Sequence, residues 1–213
     1  MTRDARVHLA STLSRVLRWQ PEAVVRVITR MSSLGLYAEL PTGVLVFVAL
    51  PVEAPVPELD ASVSAHRLRD VLGDPARVGA DVHPVRLPDD RATPPALAAL
   101  PPRDRWILGA RATAGDVLAA YERRRPVVEG DLAALPEGAP MRAEVLRSWR
   151  AEPCWGGMST AAVEAARSFG MLGVGPARVE SGTCAGWKRL ASPAGQVFTP
   201  PPDSHAQLNL SVL

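Results

Sequence analysis

Two hundred and thirteen residues make one large domain or two small ones, each able to bury a modest core, and leave no room for a multi-domain machine. Hydrophobic content of 47% with 22% charged residues describes a globular chain, neither a disordered tail nor a membrane protein. A formal net charge of +2, from 24 basic and 22 acidic residues, excludes a polycation that coats nucleic acid by charge alone.

Leu9, Leu13, Val16 and Leu17 fall at helical spacing within residues 5 to 18, with Asp4 as cap and Gln20-Pro21 as stop, so the chain opens on an amphipathic helix. Three β-like runs follow, Ala23 to Thr29, Leu36 to Leu40 and Val44 to Leu50. The last two are joined by the turn signal Pro41-Thr42-Gly43, which predicts an antiparallel meander. Val44 to Leu50 is also the longest apolar run and is far too short to span a bilayer. Ala61 to Ser64 reads as a short strand, and Ser64 then caps a helix carrying Leu68, Val71 and Leu72 that stops at Gly73. Residues 1–75 therefore predict a small α+β domain with helices on one face of a four-stranded antiparallel sheet.

Between residues 76 and 105 periodicity fades into Pro, Asp, Arg and Ala, the composition of a linker. Three helical stretches follow, Ala112 to Arg125, Met141 to Arg150 and, capped by Ser159, Thr160 to Gly170. The pattern then turns to strands at Ala177 to Ser181, Gly186 to Ala191 and Gln196 to Thr199, with Pro193-Ala194-Gly195 between the last two. Three helices and a β-ribbon are the element order of a winged helix, so residues 106–200 predict a mainly helical, winged-helix-like domain. Residues 201–213 form an extended tail behind the stiff Pro200 to Pro202.

A winged helix reads DNA with its last helix in the major groove. That helix, Ser159 to Gly170, offers Arg167 as its only basic side chain and Glu164 against phosphate, a poor recognition surface. The remaining candidates for nucleic-acid contact are Arg123, Arg124 and Arg125, the densest basic run, and Lys188 and Arg189 in the β-ribbon. Chemistry of other kinds has no candidates. The chain lacks a Gly-x-Ser-x-Gly elbow, a Walker loop and a Gly-x-Gly-x-x-Gly turn. Cys154 and Cys184 lack the spacing of a redox pair and, with the scattered histidines, of a metal site. No catalytic residue, metal or cofactor is expected, and an N-terminus without a secretory apolar stretch fits a cytoplasmic protein with reduced thiols.

The tail has a pattern of its own. Gln207-Leu208-Asn209-Leu210-Ser211-Val212-Leu213 alternates apolar and polar residues, so an extended backbone shows Leu208, Leu210 and Val212 on one side. The same alternation suits an ordinary terminal strand. Its attachment behind a triple proline and the polar Asp203-Ser204-His205 is that of a displayed peptide. These residues resemble the short motif, Gln-Leu-x-Leu-x-Leu or Phe, with which bacterial polymerases and repair proteins dock on the DNA sliding clamp. The resemblance implies that Gln207 hydrogen-bonds at the rim of the clamp's cleft and that Leu208 and Leu210 fill apolar subsites. Val212 stands where the motif prefers Leu or Phe, with Leu213 one place later. Three aliphatic anchors of about 1.5–3 kcal/mol each, less the ordering of a flexible tail, give roughly micromolar affinity.

Elsewhere, Arg18 to Arg26, Leu40 to Val46 and Gly186 to Ala191 resemble an uncharacterised protein family of high-GC actinobacteria, which implies a bacterial home and no activity. Together these features lead to the expectation of a non-enzymatic accessory or adaptor in DNA replication or repair, whose partner is the sliding clamp and which also meets DNA or other replication and repair proteins. A winged-helix DNA-binding regulator and a protein-interaction module are the other two readings.

Overall fold

The computed structural model describes residues 1–52, 56–73, 87–89, 91–173 and 176–202. They divide into two compact units, the first built mainly from Met1–Pro41 and Leu45–Leu100, the second from Thr42–Val44 and Pro101–Pro201.

The first unit opens with α1 (Arg3–Trp19). Thr2, not Asp4, caps it, its Oγ1 accepting from the Ala5 amide at 3.1 Å, and the helix ends where Pro21 has no N–H to continue the ladder. Leu9, Leu13 and Val16 are buried. Next come β1 (Val24–Arg30), β2 (Ser33–Glu39), β3 (Leu45–Pro51) and β4 (Leu59–Ser64), then α2 (Ala65–Gly73). The strands are antiparallel in the order β4-β1-β2-β3, with Val27 opposite both Leu36 and Ala61. The two-residue period puts Val25, Val27, Leu36, Ala38, Val46, Val48 and Val63 on one face, where all are buried, under α1 and α2. On the opposite face Arg26 grips Asp60 with two parallel bonds, at 2.6 and 2.7 Å. The same guanidinium donates to the Leu97 carbonyl of α3 (Pro95–Ala98), a short helix whose Leu97 is fully buried. Tyr37 and Phe47 lie with ring centroids 4.5 Å apart beside Gly35.

The second unit runs β5 (Ile107–Thr113), α4 (Ala114–Ala133), α5 (Pro140–Ala151), β6 (Pro153–Trp155), β7 (Met158–Ser159), α6 (Thr160–Ser168), β8 (Arg178–Cys184), β9 (Trp187–Ser192) and β10 (Gly195–Thr199). Its main sheet is antiparallel, in the order β5-β8-β9-β10. Ser181, Leu190 and Val197 share a buried face with Val179, and α4 and α6 pack over it. The β6–β7 hairpin turns through Gly156 and Gly157, both at positive φ. A Cβ at Gly156 would lie 2.5 Å from Ser181 Oγ, the oxygen that accepts from the Ala110 amide at 3.0 Å.

This arrangement overturns the expected α+β domain joined to a mainly helical winged-helix domain. Eight strands form two antiparallel quartets, and the second unit has as full a sheet as the first. What the sequence reading lacked was β5. Its residues are all exposed or half-buried, with no buried alternation to betray a strand, yet it closes the sheet by pairing Thr113 with Arg178 and Ile107 with Thr183. The helix expected to read DNA is inside: Thr160, Ala161, Ala162, Val163, Ala165 and Ala166 of α6 are all buried.

The two units repeat one plan in permuted order. Each has an edge strand that runs into a helix, and a second helix that leads into a three-stranded meander, with the edge strand against the meander's first strand. In the first unit the edge strand and its helix, β4 and α2, come last; in the second, β5 and α4 come first. The join is the same in both. Ala65, first in α2, donates to the Ala23 carbonyl just before β1 at 2.9 Å, and Ala114, first in α4, donates to the Ala177 carbonyl just before β8 at 2.8 Å. Both alanines are fully buried, and a larger side chain has no room there. Leu68 and Leu72 of α2 recur as Val117 and Tyr121 of α4, three and seven residues into each helix.

Candidate nucleic-acid interface

With their apolar stripes turned to the sheet, the helices of each unit expose their charged faces, and the two layers differ. In the first unit α1 and α2 carry six arginines, Arg3, Arg6, Arg15, Arg18, Arg67 and Arg69, against two carboxylates, Asp4 and Asp70. Arg3, Arg18 and Arg67 are exposed and make no ion pair among the described residues. Arg6 is held in place, its Nε donating to the Leu72 carbonyl across the helix pair at 2.8 Å. Asp70 meets Arg69 at 3.3 Å and His66 Nδ1 at 3.0 Å. The result is a basic face with few internal counter-charges, rigidly mounted on a packed sheet.

The helical layer of the second unit is laced instead. Here α4, α5 and α6 hold seven arginines against six carboxylates. Arg124 pairs with Glu152. Arg125 bridges Glu122 and Glu129 at 2.8 and 2.7 Å, and the Glu129 hydrogen bond, foremost, holds its guanidinium more firmly charged. Arg150 takes Glu164 through Nε at 2.8 Å and Nη2 at 3.1 Å. Arg167 reaches Glu122 at 3.4 Å and lies over the Tyr121 ring. Of the run Arg123-Arg124-Arg125, only Arg123 makes no ion pair among the described residues. Lys188 Nζ donates to the Gly157 carbonyl at 3.0 Å, bracing the β6–β7 hairpin. Arg189 stacks on Trp106, 4.6 Å from the ring centroid, and burial makes its guanidinium easier to deprotonate than usual.

The structure thus does not gather the sequence-predicted basic residues into one surface. Arg123, Arg124, Arg125 and Arg167 sit on α4 and α6, while Lys188 and Arg189 lie on β9, and all but Arg123 are engaged within the unit. The face that sequence reasoning passed over is that of α1 and α2. Its signal was present: the helical period puts Arg3, Arg15 and Arg18 on the side of α1 away from Leu9, Leu13 and Val16, with Arg6 on the flank next to α2. The residues expected to dock on a clamp, Gln207, Leu208, Leu210, Val212 and Leu213, lie outside the described residues.

No group of three or more His, Cys, Asp or Glu side chains able to hold a metal occurs among the described residues. Cys154 and Cys184 are free and half-buried. Burial, foremost, raises the Cys154 thiol pKa, with Arg124 and Arg123 opposing it. No helix among the described residues is long and apolar enough to cross a membrane.

Residues 2–93 match the family model of a domain of unknown function, DUF8010, which ends before β5. No curated protein matches the chain. Solved structures do. A DNA polymerase sliding clamp from Pseudomonas aeruginosa superposes with a TM-score of 0.53 at 12% identity, over 98% of this chain and 66% of the clamp. The DNA polymerase III subunit beta from the same organism gives 0.51 at 11% identity, over 92% and 62%. The corresponding clamp from Bartonella birtlesii gives 0.51 at 12%, over 92% and 62%. The chain spans a little under two thirds of the clamps' length, and at these identities the likeness is one of fold. The architecture expected to be a winged helix is similar to that of the sliding clamps.

Proposed function

We propose that this chain is a non-enzymatic accessory protein of DNA replication or repair, in which the arginine face of α1 and α2 rests on duplex phosphates and the peptide Gln207 to Leu213 docks on a sliding clamp. The observation that carries the reading is the six-arginine helical face on a fold similar to that of clamps named for DNA polymerase. Phosphate contact needs cations that are not already neutralised, and Arg3, Arg18 and Arg67 stand exposed on packed helices with no ion pair among the described residues. Since these contacts touch no base edge in any defined pattern, binding is without sequence preference.

The test is fluorescence anisotropy of a labelled duplex with the full chain across a salt series, and with Arg3→Gln, Arg18→Gln and Arg67→Gln combined. Each phosphate contact contributes about 0.9 to the slope of log affinity against log salt, so the triple variant should lose between two and three from that slope and bind at least about tenfold more weakly. An unchanged slope sinks the DNA part of the reading. The tail is tested separately, by calorimetric titration of the full chain into a bacterial sliding clamp. Leu208→Ala with Leu210→Ala should abolish heat that the native chain gives, because each truncation removes about 1.5–3 kcal/mol of apolar burial; undiminished binding removes the tail from the proposal.

A further inference from the structure

The repeated plan makes β4 and β5 equivalent, each the outer strand of its quartet. Their open sides differ. Alongside β4 runs a segment of the chain itself: the Arg91 amide donates to the Ser62 carbonyl at 2.6 Å, and the Ser62 and Thr93 hydroxyls meet at 2.8 Å. No described segment is bonded to the open side of β5. Nor does β5 carry the prolines or free charges that usually blunt an edge. Ile107 is 72% and Leu108 44% exposed, and Arg111, the one charge of the strand, is held by Glu180 at 2.9 Å. An edge of this kind is a template for an added strand.

We propose that the tail of the chain, Gln207 to Leu213, adds to the open side of β5 as a further strand, parallel to it. Reach and exit direction both support this. Thr199, Lys188, Thr183 and Ile107 stand opposite one another across β10, β9, β8 and β5, so the open side of β5 is four strand spacings from the end of β10, about 19 Å. Residues 200–206, three prolines and four others, cover about 22 Å at about 3.1 and 3.3 Å per residue. The chain leaves β10 in that direction, because a Cβ at Gly186, in the β8–β9 turn, would lie 3.2 Å from Pro201. Crossing at that end, the tail meets Ile107 first and runs the same way as β5. The side chains match too. The bulge between Leu108 and Arg111 turns both Ile107 and Ala112, opposite Thr183 and Val179, to the face that carries α4 and α6. Leu208, Leu210 and Val212 extend that apolar face, and Gln207, Asn209 and Ser211 take the other. A tethered strand also meets β5 at millimolar effective concentration, an advantage over a second copy of the chain. Leu208 and Leu210 cannot serve β5 and a clamp at once, so the pairing withholds the tail from a clamp; it stands on β5 and the reach of the tail, not on clamp docking.

Amide hydrogen exchange of the nitrogen-15-labelled full chain, with no clamp present, tests the proposal at two protein concentrations. Amides within Leu208 to Leu213, and those of β5 that point away from β8, should exchange at least about tenfold more slowly than in an unstructured peptide, equally at both concentrations. Leu208→Pro with Leu210→Pro removes two backbone donors. That variant should abolish protection in the tail and speed the outward β5 amides about tenfold, while β8 and β9 exchange as before. Ile107→Asp, which puts a charge on the edge, should release the tail in the same way. The proposal is overturned if the tail amides of the native chain exchange at unprotected rates, or if the outward β5 amides are indifferent to the proline pair. Protection of β5 that falls on dilution assigns the edge to a second copy and overturns it as well.

Discussion

Gly156 shows what single residues contribute here. Its φ of +55° lies in the left-handed region, and its Cα faces Ser181 Oγ and the Ala110 side chain so closely that a Cβ would sit 2.5 Å from the first and 3.2 Å from the second. Gly156→Ala should therefore cost about 1–3 kcal/mol through overpacking and backbone strain together, read as a lower midpoint in urea unfolding. Gly157, also at positive φ but with nothing within 4 Å of a Cβ, should lose less on the same change. Thr113 and Asp116 close the start of α4 reciprocally: Thr113 Oγ1 accepts from the Asp116 amide at 3.2 Å while Asp116 Oδ2 accepts from the Thr113 amide at 3.2 Å and hydroxyl at 2.7 Å. The Thr113 hydroxyl, then its amide, hold the Asp116 pKa below the usual carboxylate range. A depressed carboxylate contributes stability that is complete above its unfolded pKa and is lost as pH falls through the folded one. Thr113→Ala should thus lower stability by about 1 kcal/mol at neutral pH and by less in acid, measured by denaturant titration at both pH values.

At the scale of elements, α1 was legible because three signals agreed: a four-residue apolar period, a Pro stop and a capping residue, although the cap itself is Thr2 and not Asp4. The meander strands were legible for a similar reason, since β1 and β3 alternate or run apolar between recognisable turns. Helix α6 was found almost to its ends, with Ser159 as cap, but its role was misread. A helix of Ala, Val, Thr and Ser with one glutamate and one arginine carries no mark that separates a thin surface helix from one buried on a sheet; its small side chains suit close approach to the sheet, and the deciding contacts come from residues far along the chain. Replacing buried Ala162 or Ala165 by Leu should destabilise the second unit by about 1–3 kcal/mol, whereas the same change at an exposed recognition helix would be nearly neutral, so a denaturation midpoint distinguishes the two placements. Strand β5 was invisible because an edge strand with Ile107 and Leu108 exposed has no core face to impose a period. Its partner selects it, not its own pattern.

The whole molecule repeats an edge strand, a helix, a second helix and a meander in two orders, and no sequence period announces this because the halves of the repeat are exchanged along the chain. Only positions are kept: Ala65 with Leu68 and Leu72 matches Ala114 with Val117 and Tyr121. Charge is concealed for a related reason. A net of +2 averages a basic helical layer in the first unit with a balanced one in the second, and arginines dispersed along α1 and α2 form no run in the sequence as Arg123 to Arg125 do. That asymmetry makes a prediction about the molecule as a whole. Gln substitutions at Arg124, Arg125 and Arg167 should leave the salt dependence of duplex binding unaltered, since those cations already have internal partners, and should lower thermal stability instead.

The exchanged order also bears on how the chain reaches its fold. In the first unit the edge strand closes over a short span, Thr29 meeting Leu59 30 residues on. In the second, β5 is synthesised first and must wait for β8, with Thr113 meeting Arg178 65 residues on. Doubling the loop adds only about 0.6 kcal/mol of closure entropy, so both sheets are comparably affordable at equilibrium, but non-local pairing is slow to form. The first unit should be complete while β5 is still unpaired, its Ile107 and Leu108 open to any passing strand, and β5 should be the last ladder to gain protection in pulsed hydrogen exchange during refolding. The same permutation that conceals the repeat in the sequence therefore sets the order of assembly and places the hazard of misassociation on one short strand.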